Sequence, residues 1–65
     1  MNGRLIKELR ERQGETQLQM ALALGVTPST VSLWERGESG NPRIETAKKI
    51  AEHLGCSLDK LMEEK

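Results

Sequence analysis

The chain of 65 residues has no phenylalanine and no tyrosine, one tryptophan (Trp34), one cysteine (Cys56) and two prolines. It also has no net charge, because ten lysines and arginines offset ten aspartates and glutamates. Each shortage excludes something. One cysteine excludes an internal disulfide framework and fits a reducing compartment. No apolar run approaches the ~18 residues of a membrane span. No basic segment leads into an apolar one, so no secretory leader is expected and the protein is placed in the cytoplasm. Apolar residues make up 35% of the chain. That supports one small domain over residues 1–65, of a size that buries only about 60% of its unfolded surface. Its stability is expected at roughly 3–5 kcal/mol. Zero net charge argues against a long polybasic tail. It does not exclude nucleic acid, because binding depends on where charge sits.

The charge is distributed in blocks. Residues 1–12 and 36–49 each carry +2, and residues 13–35 and 50–65 each carry −2. An ordinary solvated surface accounts for this alternation; a positive rim made by the first helix and the mid-chain loop is the functional alternative. Charge alone favours the former.

Glycines 14, 25, 37, 40 and 55 cut the chain into short pieces, and helical periodicity fills the gaps. A first helix is predicted from residue 3 or 4 to Gln13, with Leu5, Ile6 and Leu9 on one face and Gly14 as its stop. A second runs from Gln17 to Leu24, with Thr16 and Gln19 forming a capping box. A third runs from Pro28 to Glu35 or Arg36, with Thr27 as N-cap and proline in the first turn, where its missing N–H costs nothing. After a loop over 38–42, a fourth runs from Arg43 to Leu54 on a stripe of Ile44, Ala47, Ile50, Ala51 and Leu54. Ser57 caps a short fifth helix containing Leu58, Leu61 and Met62. No segment alternates with period two. The fold class is therefore all-α, a domain of five short helices. Only Gly25, Val26 and Thr27 separate the second helix from the third, which matches a helix-turn-helix unit over 17–36.

Within that unit Ala21 is expected where the two helices cross, and Gly25 at a turn needing positive φ. Val26 and Val31 would fill the wedge between the helices. Leu18, Leu24, Trp34, Ile50, Leu54 and Leu58 complete the candidate core. Thr16, Gln17, Ala21, Gly25, Val26, Thr27, Val31, Ser32, Glu35, Arg36 and Gly37, in this spacing, are followed by Pro42, the 44–54 helix and the run Gly55-Cys56-Ser57-Leu58-Asp59-Lys60-Leu61. The whole pattern resembles the phage repressor and Cro (lambda repressor-like) family of bacterial and phage helix-turn-helix proteins.

The resemblance implies a compact five-helix DNA-binding domain and a partner, double-stranded DNA, bound sequence-specifically by a transcriptional regulator, most simply a repressor. In this fold the third helix enters the major groove. The base-reading surface is then Thr27, Pro28, Ser29, Thr30 and Leu33. Gln17, Arg10, Arg36, Asn41 and Arg43 are the candidates for backbone contact. Relatives pair an arginine late in the first helix with a glutamate ending the third, which assigns Arg10 and Glu35 to a structural ion pair. Relatives also dimerise, through the segment before the fourth helix and the last helix. Here that implies a homodimer on a palindromic operator through Pro42, Ile44, Leu58, Leu61 and Met62; for Leu58 and Leu61 a place in the core is an equal alternative.

The chain departs from the pattern in places. The third helix has no Lys, Asn, Gln or Arg before Arg36, so it lacks a bidentate reader of guanine or adenine. Leu33, where relatives often place a polar contact, is suited to thymine methyls, and DNA shape is a further source of specificity. Glu15 replaces the apolar residue that would pack on Met20 as a hydrophobic staple. Leu22 and Ala23, with Leu24, make the run from Met20 to Leu24 apolar all round. His53 and Cys56 give two possible metal ligands, where zinc needs three or four; His53 is expected exposed and Cys56 in the core. No cofactor, metal or small-molecule ligand is expected. No nucleophile–base pair can be assembled, so an enzyme is not expected. The rival reading is a protein-interaction module, or the antitoxin of a toxin–antitoxin pair, on the same fold; a restriction–modification controller is a further context for the regulator.

Overall fold

The computed structural model describes residues 1–38 and 43–63. Five α-helices follow one another: α1 (Gly3–Arg12), α2 (Gln17–Leu24), α3 (Pro28–Arg36), α4 (Ile44–Leu54) and α5 (Leu58–Met62). Local chemistry sets their ends. The hydroxyls of Thr16, Thr27 and Ser57 accept the N–H groups of Gln19, Thr30 and Lys60, each satisfying one donor that a helix start leaves without a partner. At Thr16 the predicted capping box closes, because Gln19 Oε1 accepts the Thr16 N–H at 2.8 Å. Asn2 caps α1 in the same manner, accepting from Leu5 at 3.1 Å.

The turn between α2 and α3 shows why a glycine is needed there. Gly25 has φ +71°, ψ +32°, a left-handed conformation that a side chain disfavours. It lets the Val26 N–H reach the Ala21 carbonyl at 2.9 Å and close α2. The chain then enters α3 after only Val26 and Thr27.

The core is formed by Ile6, Met20, Ala21, Val31, Trp34, Ala47, Ile50, Ala51, Leu54 and Leu61. Leu9, Leu24, Val26, Cys56, Leu58 and Met62 pack around it, partly buried. α3 contributes Val31 and Trp34, and both α1 and α2 pack against it. The amino terminus is tied down by the Asn2 N–H donating to the Leu61 carbonyl at 2.8 Å.

Five expectations change. Leu18 is 55% exposed and is not core: the inward side of α2 is set by Met20, Ala21 and the half-buried Leu24, and Leu18 joins Leu22 on the outer side. Leu61 is fully buried and so belongs to the core, not to a dimer surface. Cys56 is half-buried at the edge of the core, where burial pushes its thiol pKa up. α1 ends one residue early, with Gln13 as its C-cap. Its amide reaches across to the His53 and Leu54 carbonyls at 3.4 and 3.3 Å, at the end of α4. Arg43 is the N-cap of α4, and the helix itself starts at Ile44. Asn41 and Pro42, and with them most of the predicted loop, lie outside the described residues.

Candidate nucleic-acid interface

Glu35, near the end of α3, receives hydrogen bonds from two other helices. Arg10 of α1 donates from Nε to Oε2 at 2.6 Å and from Nη2 to Oε1 at 3.2 Å. Gln17, the first residue of α2, donates from Nε2 to Oε1 at 3.1 Å. The Arg10 and Glu35 side chains are only 9% and 5% exposed. Arg10 Nη1 adds a bond to the Glu15 carbonyl at 2.7 Å. Donation to the Glu35 carboxylate raises the guanidinium pKa against the lowering effect of burial, so the arginine stays charged. A buried charge of this kind is tolerated only when paired and hydrogen-bonded. Here the network fixes α3 to α1 and α2 at its carboxyl-terminal end.

That geometry corrects one assignment. Arg10 is buried and every nitrogen of its guanidinium faces a protein acceptor, so it is withdrawn from the set of backbone-contact candidates. Gln17 spends one amide hydrogen on Glu35 and keeps the other, and it sits at the start of α2, where first-turn N–H groups attract phosphate. Arg36 is exposed at the end of α3, 3.5 Å from Glu38, which is equally exposed. Arg43 is exposed at the start of α4.

The candidate base readers Thr27, Pro28, Ser29 and Thr30 make up the start of α3, and Leu33 lies one turn on from Ser29 and Thr30. Pro28 and Ser29 are exposed, and Thr30, Ser32 and Leu33 are half-buried. Thr27 is committed to its cap, and its hydroxyl pairs with that of Thr30 at 2.9 Å. The remaining dimer candidates lie elsewhere: Ile44 is 55% exposed, whereas Leu58 and Met62 are half-buried against the core.

Two features had no signal in the motif. His53 is not exposed: its Nε2 meets the Glu15 carboxylate at 2.8 Å, with side chains 21% and 16% exposed. The residues are 38 apart in sequence, so no local spacing announces the pair. Glu15 thus replaces the missing hydrophobic staple with a polar tie to α4. The second feature is Gly3, buried where α1 meets the end of α3. A Cβ there would overlap the Trp34 carbonyl oxygen and come within 2.6 Å of the Glu35 carbonyl oxygen. The available signal was a glycine inside the first turn of a predicted helix, where alanine is favoured. Among the described residues no group of three His, Cys, Asp or Glu is arranged to hold a metal ion, and no helix is long and apolar enough to cross a membrane.

Two short helices joined by a three-residue turn, with the second laid open on one face and braced behind by α1, define a helix-turn-helix scaffold. A family model described as helix-turn-helix matches residues 6–61. The chain belongs to this helix-turn-helix family, of the lambda repressor-like type. It is 36% identical over 63 residues to the HTH-type transcriptional regulator SlrR of Bacillus subtilis, covering 97% of this chain and 41% of that protein. It is 39% identical over 57 residues to (S)-2-hydroxypropylphosphonic acid epoxidase of Streptomyces wedmorensis, covering 88% of this chain and 29% of the enzyme. The chain thus spans less than half the length of both proteins. The solved structure of SinR, the master regulator for biofilm formation, in complex with DNA superposes with a TM-score of 0.84 at 32% identity, covering 97% of this chain and 100% of that one.

Proposed function

We propose that the chain binds double-stranded DNA sequence-specifically and regulates transcription as a homodimer, with α3 in the major groove. The observation that carries the reading is the network on Glu35. It holds α3 from behind through Arg10 and Gln17 while leaving Pro28 and Ser29 exposed. A reading helix must be positioned rigidly to match base edges, and in this class the second helix of the unit is the one inserted. The likeness to a DNA-bound regulator at 32% identity supports it. Backbone contacts fall to Gln17, Arg36 and Arg43, with Asn41 beside them in the chain. The dimer contact falls to the exposed Ile44 and the half-buried Leu58 and Met62, together with Pro42. The chain itself performs no catalysis; the similarity to an epoxidase concerns less than a third of that enzyme. A chain that binds chromosomal or phage DNA acts in the cytoplasm.

The test is binding to duplex DNA from upstream of the gene across a salt series. Affinity should fall as salt rises, because counterions are released from the phosphates contacted. Failure to bind at about 50 mM salt, where such contacts are strong, would leave the protein-interaction reading in its place.

A further inference from the structure

The outward side of α3 carries Pro28 and Ser29, then Ser32 and Leu33, then Arg36, at helical spacing. Most polar atoms near its start are already engaged. Thr27 Oγ1 accepts the Thr30 N–H at 3.2 Å, and the two hydroxyls pair at 2.9 Å, leaving one hydroxyl hydrogen between them. At the start of α2 one Gln17 N–H is taken by Glu35 at 3.1 Å and the Gln19 oxygen by the Thr16 N–H at 2.8 Å, so each amide keeps part of its capacity, but neither lies on α3 itself. Arg36 stands at the far end of the helix, beside Glu38, whereas base contacts in this class come from the amino-terminal residues. Fork-shaped donors for guanine and paired amide groups for adenine are therefore missing where they are needed. What remains on α3 ahead of Arg36 is the Ser29 and Ser32 hydroxyls, the one hydroxyl hydrogen left between Thr27 and Thr30, the Pro28 ring and the Leu33 side chain. Leu33 is half-buried, with part of its surface in water. In the major groove one base offers an apolar group, the C5 methyl of thymine.

We propose that α3 reads thymine through its methyl group, with Leu33 as the specificity-determining residue. This rests on the DNA-binding reading above, and its test separates the two. A duplex pool with a randomised centre is selected on the full chain, and the retained sites should share a thymine at a fixed place in each half-site. Each thymine is then replaced singly by deoxyuridine, which keeps the base pairing and removes only the methyl. At the thymine under Leu33 the affinity should fall about fourfold, the effect of one buried methyl. Leu33→Ala should weaken binding to the thymine site and abolish the difference between thymine and deoxyuridine. Thermal melting checks that the variant folds; should it not, Leu33→Gln, similar in size but polar, makes the same test. The proposal is overturned if every deoxyuridine substitution leaves affinity unchanged. It is equally overturned if folded Leu33 variants keep the full methyl sensitivity, which would assign the effect to DNA shape. Retention of no duplex at low salt overturns the DNA-binding reading itself, a distinct result.

Discussion

Glu35 accepts from Arg10 twice and from Gln17 once, so its loss touches three helices together. Removing one partner of a buried ion pair costs about 3–5 kcal/mol, because the other charge is left without compensation. Domains of this size hold roughly 3–5 kcal/mol in total. Glu35→Ala is therefore expected to leave the chain largely unfolded at room temperature, read by urea titration of Trp34 fluorescence. Trp34 is the sole tryptophan, adjacent to Glu35 and buried, so its emission should shift on unfolding. Arg10→Met combined with Glu35→Leu should recover most of that stability, since apolar replacement of a whole buried pair is often neutral. DNA affinity should not recover with it, because α3 would lose its directional tie. A double variant that regained DNA binding in full would show that packing alone orients the helix. Gly3→Ala belongs at the same scale. Its new methyl would meet two backbone carbonyls at the end of α3, which cannot rotate away as a side chain can. Overpacking of this kind typically costs about 1–3 kcal/mol, so a fall in the urea midpoint is expected despite alanine's better helix propensity.

At the scale of elements, stability divides between ends and faces. The Thr27 hydroxyl caps α3, and Thr27→Ala should cost about 1 kcal/mol, measured by thermal unfolding. The two leucines on the outer side of α2, Leu18 and Leu22, are 55% and 72% exposed. Replacing either with serine should change stability by less than about 0.5 kcal/mol, whereas Met20→Ala, at a fully buried position of the same helix, should cost about 2–5 kcal/mol. The same division explains what was legible in the sequence. Caps and stops are local chemistry, so Thr16, Thr27, Ser57, Gly25 and Gly37 mark helix ends without any tertiary information. The face of α2 was not legible, because five consecutive apolar residues from Met20 to Leu24 leave no stripe to orient. α5 has five residues, too few to show whether Leu61 points inward or outward. The Glu15–His53 tie and the close approach at Gly3 join segments distant along the chain; nothing nearby encodes the first, and only a glycine in the first turn of a helix hints at the second. Within the candidate interface the residue types of α3 were readable. The pairing of Thr27 with Thr30 was not, because it depends on side-chain geometry.

For the whole molecule, zero net charge takes on a sharper meaning once Arg10 is placed. Of the four positive charges among residues 1–12, Arg10 is the one buried beside Glu35. The +2 of that segment therefore overstates what it offers to DNA. The cations placed at the proposed interface are Arg36 and Arg43, two per protomer, both exposed. In the proposed complex Gln17 and the first-turn N–H groups of α2 would add hydrogen bonds but release no counterion. The proposed dimer would then neutralise about four phosphates, and the slope of log K against log salt should be about −3.6. This is shallow for a repressor and predicts weak non-specific binding, so selectivity would have to come from the shape and apolar fit of α3. Arg43→Ala should weaken binding to all sequences alike and make the slope less steep by about 2 in the dimer, one unit per protomer. Ile44→Glu is the complementary test. It should leave the melting temperature nearly unchanged, because Ile44 is 55% exposed. It should also convert binding of a two-half-site duplex into weak binding of single half-sites, with the slope halved to about −1.8. A slope that stayed near −3.6 with Ile44→Glu, together with unchanged affinity for the full site, would remove Ile44 from the dimer contact.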